Sequence, residues 1–71
     1  KIIIRLMKYN VTIVIEYLDG TDFSFEVTME GKEHEVVANL LMITRGTLMA
    51  SSGHKATCYK DDGFELCSYV K

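Results

Sequence analysis

The side chains able to do chemistry in this sequence are few and far apart. His34 and His54, with Cys58 and Cys67, carry the nitrogen and sulfur donors a transition metal prefers. Their spacing follows no ligand pattern: there is no Cys-x-x-Cys, no His-x-x-x-His and no His-Glu-x-x-His. Structural zinc needs four closing ligands, so two exposed histidines are expected, with no metal and no cofactor. A Cys–His nucleophile pair needs a low-pKa thiolate beside an imidazole that a third group orients. Only Cys67 with His54 could supply one, and nothing in the spacing brings them together. Asp61 and Asp62 are adjacent carboxylates, but they head an Asp-Asp-Gly turn, where aspartate is favoured for local hydrogen bonds. No residue is assigned to catalysis, and the chain is expected not to be an enzyme.

Two further groups concern binding. Arg45-Gly46-Thr47 and Ser51-Ser52-Gly53-His54-Lys55 gather small, hydroxyl and basic residues. Brought to one rim, turn N–H groups with Arg45, Ser52, His54, Lys55 and Lys60 would contact an anion or a nucleic-acid strand. The same residue types also serve a helix C-cap followed by a turn, and a helix C-terminus repels anions. Tyr59 and Tyr69 are expected on the outer face of a last hairpin, where tyrosines stack unpaired bases or anchor a protein contact. Eight basic and ten acidic residues give a net charge of −2 with no basic stripe, which disfavours nucleic acid and favours protein.

The elements that must position these residues follow from periodicity. Tyr9 to Tyr17 alternates strictly, with Tyr9, Val11, Ile13, Ile15 and Tyr17 on one face, and Phe23 to Met29 repeats the pattern. Asp19-Gly20 between them predicts a β-hairpin. Ile2, Ile4 and Leu6 are apolar at even positions instead. The expectation is one bent strand with a bulge near Met7–Lys8, the alternative being two strands joined by a turn. From about residue 31 to 45 the period becomes helical, placing Val36, Val37, Leu40, Leu41, Ile43 and Thr44 on one side. Thr28 is the expected N-cap and Gly46 the C-terminal stop, with Glu30, Glu33 and Glu35 at the start and Arg45 at the end complementing the dipole.

Beyond Gly46 a weak strand is expected over Thr47–Ser51, then a turn at Ser51–His54. Lys55–Lys60 should then pair with Phe64–Val70 across Asp61-Asp62-Gly63. A three-residue loop with Gly63 left-handed puts Ala56, Cys58, Phe64, Leu66 and Val70 on one face, and Lys55, Thr57, Tyr59, Glu65, Cys67 and Tyr69 on the other. In that register Cys58 and Cys67 cannot bond and both are expected free. A two-residue Asp62-Gly63 turn would set them opposite each other.

Seventy-one residues make a single domain, 1–71, of class α+β: a two-layer fold with one helix on one face of an antiparallel sheet, in the order strands, helix, strands. A composition of 48% hydrophobic residues is more than one helix on one sheet should bury. Ile2, Ile3 and Ile4 put apolar groups on both faces of the first strand, and Met42 lies on the solvent side of the helix. With Tyr59 and Tyr69 they form the expected interface. The expected function is a non-catalytic protein-interaction module that self-associates through its sheet, as a homodimer or against another protein. The alternative is an accessory protein that binds single-stranded nucleic acid on the outer sheet face. No segment approaches the roughly 18 apolar residues of a membrane span, so a soluble chain is expected, the cytoplasm slightly ahead of other compartments. Opening on Lys1 rather than methionine suggests a preceding piece.

Overall fold

Strict alternation in the N-terminal half produces the longest elements of the sheet. The structure, a computed structural model, describes residues 7–71. The expectations on Ile2, Ile3 and Ile4 therefore lie outside the described residues, whereas Met7 and Lys8 pair in regular register with Gly31 and Glu30, without the bulge expected there. Strand β1 (Met7–Glu16) pairs antiparallel with β2 (Asp22–Gly31), matching Val11 with Val27, Ile13 with Phe25 and Ile15 with Phe23. The turn is closed by Tyr17 N–H donating to the Thr21 carbonyl (2.9 Å) and Gly20 N–H to the Tyr17 carbonyl (3.1 Å), with Gly20 at φ 88°. The Thr21 hydroxyl and N–H both donate to the Asp19 carboxylate and hold it below the usual aspartate range.

Helix α1 spans Glu33–Ala50, running on past the expected stop at residue 45. The reason is a buried stripe at i, i+4 spacing, Val36, Leu40, Thr44 and Leu48, which crosses Gly46. Burying Leu48 contributes roughly 1.5–3 kcal/mol, whereas a mid-helix glycine costs about 0.5–1 kcal/mol. Packing wins, and the strand expected over Thr47–Ser51 is instead the helix's last turn and its cap. Thr28 is not the N-cap: it sits in β2 and donates its hydroxyl hydrogen to Asn10 Oδ1 at 3.0 Å, while Lys32 occupies the cap without a side-chain bond. Val37 and Leu41, expected on the buried side, are exposed flank residues. Glu33 and Glu35 do lie in the first turn, but Glu30 belongs to β2, and no basic residue of the helix lies in its last turn. A Cβ on Gly46 would meet nothing within 4 Å. Gly46→Ala is therefore expected to stabilise the fold by about 0.5–1 kcal/mol in urea unfolding, with an unchanged denaturant slope.

Strands β3 (Lys55–Lys60) and β4 (Glu65–Val70) complete an antiparallel sheet of order β2-β1-β3-β4. The loop between them has the expected form: Lys60 N–H donates to the Phe64 carbonyl at 2.8 Å, and Gly63 takes φ 86°. The faces nonetheless differ from those the loop implies. Between Cys58 and Tyr59 the register shifts: Tyr59 faces Glu65 but Cys58 faces Cys67, leaving Leu66 as an extra residue in β4. One inserted residue exchanges the faces of the rest of the strand. Cys67 and Tyr69 thereby turn to the helix side, opposite Cys58 and Ala56, and Val70 becomes 66% exposed.

The core lies between α1 and one face of the sheet. It holds Val11, Ile13, Ile15, Val36, Leu40, Leu48, Ala56 and Cys58, with Thr44 buried among them and its hydroxyl donating to the Leu40 carbonyl at 2.7 Å. The open face is mostly polar, with Asn10, Thr12, Glu16, Ser24, Glu26 and Thr57, and also carries Val14 and Tyr59. This is the fold class expected, an antiparallel sheet with one covered and one solvated face.

Candidate interaction surface

The residues grouped as an anion site are not brought together as one. Arg45 is exposed in the body of α1, Ser52 and His54 are exposed in the connection after it, and Lys55 and Lys60 stand at opposite ends of β3. Donors in the connection turn inward. Ser51 N–H reaches the Leu48 carbonyl (3.2 Å), Gly53 N–H the Ser51 hydroxyl (3.1 Å) and His54 N–H the Glu16 carbonyl (2.7 Å). What this corner does present is carbonyl oxygen, and the Lys71 ammonium donates to Ser51 (2.6 Å) and Leu48 (3.3 Å). The cation that completes the helix terminus comes from Lys71, just beyond β4, not from Arg45. A helix C-terminus capped in this way suits cations, and nothing in it resembles an anion nest.

Tyr59 and Tyr69 lie on opposite faces. Tyr59 pairs with Thr12 on the open side, whereas Tyr69 pairs with Ala56 and packs against the core beneath the helix. The bulge at Leu66 separates them, so they form no common stacking platform. Met42 is 72% exposed, as its helical position predicts. Among the described residues no group of three or more His, Cys, Asp or Glu is arranged to hold a metal ion. Asp62 accepts from Phe64 N–H at 3.0 Å within its turn and makes a 4.0 Å ion pair with Lys60 on the surface.

No family model matches the sequence, and neither the curated proteins nor the solved structures searched give a match. The surface itself must carry the reading.

Two features of the sheet stand out. The first is the free edge of β2, which among the described residues pairs only with β1. It is ten residues long, has no bulge and no proline, and its helix-side row is only partly covered: Phe23 is 57% exposed, with Phe25, Val27 and Met29 half-buried. The Phe23 and Phe25 rings lie 6.0 Å apart along that row. The opposite edge, β4, is short and interrupted by the bulge, two devices that discourage strand addition. Sequence periodicity identifies β2 as a strand but carries no signal that it, rather than β1, lies at the edge.

The second feature is the pairing of Cys58 with Cys67. Both thiols are free, Cys58 is fully buried and Cys67 half-buried. Burial pushes the Cys58 thiol up to about 11, the facing Cys67 adds to the effect, and the Thr44 hydroxyl opposes it. No helix among the described residues is long and apolar enough to cross a membrane.

Proposed function

We propose that the chain is a small interaction module without catalytic activity that self-associates through its sheet, β2 pairing antiparallel with β2 of a second copy. The observation that carries this reading is the ten-residue β2 edge, free of bulge and proline, beside a half-covered apolar row. A long exposed strand is a template for another strand, and the acidic Asp22, Glu26 and Glu30 on its open face restrict the registers in which one can add. The sheet edge is favoured over the open sheet face, because that face is mostly polar.

The geometry of β2 also limits how two copies can meet. Tyr17 N–H bonds to Thr21, so ladder alternation makes Phe23, Phe25, Val27 and Met29 the residues hydrogen-bonded to β1. The backbone groups of Ser24, Glu26, Thr28 and Glu30 then point away from the sheet. A two-fold axis at Val27 sets Glu26 opposite Thr28 and Glu30 opposite Ser24, so no carboxylates face each other across the seam. On the helix side the same axis sets Phe25 opposite Met29 and joins the two apolar rows.

Sedimentation equilibrium tests this directly. The wild-type chain of 8.1 kDa is expected to sediment at twice its mass. Glu26→Pro removes an outward N–H without touching the β1 ladder and is expected to give a monomer that keeps its β-sheet circular dichroism. Glu26→Gln, which keeps the N–H, should remain dimeric. A wild-type chain that is monomeric at every concentration overturns the proposal.

A further inference from the structure

We propose that Cys58 and Cys67 are a redox-modification site that closes reversibly into an intramolecular disulfide, with low-molecular-weight disulfides as oxidant and thiols as reductant. The proposal stands apart from the pairing of β2, which lies at the other edge of the sheet.

Three observations carry it. The two residues are direct partners across the β3–β4 ladder. Partners in an antiparallel ladder have Cα atoms about 4.5–5.5 Å apart, inside the roughly 4.4–6.8 Å window of a disulfide. The shift in register that puts them face to face begins at Cys58 itself, next to the extra residue Leu66, and β4 has no neighbour among the described residues on its outer side. The strand is therefore free to make the small approach that closure requires. Finally, the two thiols differ in access: Cys58 is shut beneath α1 against Thr44, while Cys67 is half-exposed on the edge strand.

That asymmetry sets the order of events. The Cys67 thiol loses its proton and its sulfur attacks one sulfur of the small disulfide, breaking that S–S bond and releasing one thiol. Cys58 then gives up its proton and its sulfur attacks the Cys67 sulfur of the mixed disulfide, which releases the second thiol. The protein loses two electrons and two protons, and the small disulfide is reduced to two thiols. The bond fastens the edge strand to β3 beneath the helix, and an excess of thiol reverses both steps.

The test uses the reduced full chain with glutathione disulfide under native conditions, followed by intact-mass measurement without reductant. The expected end state is a single polypeptide, not covalently linked to another, lighter by two hydrogens, with no thiol left to alkylate after denaturation and a peptide map joining Cys58 to Cys67. Dithiothreitol should restore both thiols. Cys58→Ser should stop at the glutathione adduct on Cys67, and Cys67→Ser should leave Cys58 unmodified while folded. Should either variant fail to fold, the wild-type time course in low urea replaces it. A closure rate insensitive to urea supports pairing in the native sheet, and a rate that climbs with urea overturns it. A persistent adduct on the wild type, or a disulfide between Cys67 of two chains, also overturns the proposal.

Discussion

Gly53→Ala is expected to lower the midpoint of thermal unfolding by about 10 °C, read by far-ultraviolet circular dichroism. Gly53 is buried in the connection from α1 to β3, its N–H bonded to the Ser51 hydroxyl. A Cβ added there would overlap Ile15 Cγ2, stand 3.1 Å from Ser51 Oγ and reach 3.5 Å from Leu48 Cδ1. Ile15 and Leu48 belong to the core and are 1% and 2% exposed, so neither can yield outward. The Ser51 hydroxyl is tied to the Leu48 carbonyl. One extra methyl in a packed site costs about 1–3 kcal/mol, and in a domain this small each kcal/mol moves the midpoint by roughly 4–8 °C. Gly46→Ala, at a site with open space, is expected to move it the other way. Equal midpoints for Gly53→Ala and the wild type would show that the connection does not press against the core.

Ile13→Ala is expected to remove about 2–5 kcal/mol of stability. Ile13 is fully buried at the middle of β1, between Phe25 of β2 and Cys58 of β3, so the sheet has no slack to close the cavity. A chain of this length has roughly 4–10 kcal/mol of stability in all, so the substitution removes a large share of it. Val14, the next residue, points to the open face and is half-buried. Val14→Ala should cost no more than about 1 kcal/mol. Urea unfolding of the two variants compares the faces directly, and equal losses would contradict a core confined to the helix side.

Local rules carried the first hairpin. Alternation from Tyr9 and the Asp19-Gly20 turn define β1 and β2 because both depend on residues within a few positions of each other. The helix was legible in its existence and in Val36, Leu40 and Thr44 of its stripe, but not in its cap or its end. Gly46 is a stop signal only when nothing apolar follows in phase, and Leu48 follows one turn after Thr44. The last hairpin shows the same limit more sharply. Its loop is readable in Asp61-Asp62-Gly63, yet the faces of β4 depend on one unpaired residue, Leu66, that no turn chemistry announces. Because the face of every residue beyond it is exchanged, the cysteines expected apart stand opposite, and the tyrosines expected together stand apart. The candidate surface on β2 was hidden for a related reason: strand order is a tertiary property, and the order β2-β1-β3-β4 leaves β2 outside.

That order has a consequence for how the chain becomes a protein. Each hairpin joins neighbours in sequence, so it can form early, but two strands alone are barely stable in water. The sheet exists only when β1 meets β3, a pairing that brings Glu16 to Lys55 across all of β2 and the helix. This junction closes the longest loop in the ladder, and the helix has a continuous face to cover only after it forms. The two hairpins are therefore not subdomains that dock. They are halves of one cooperative unit whose stability resides at their seam.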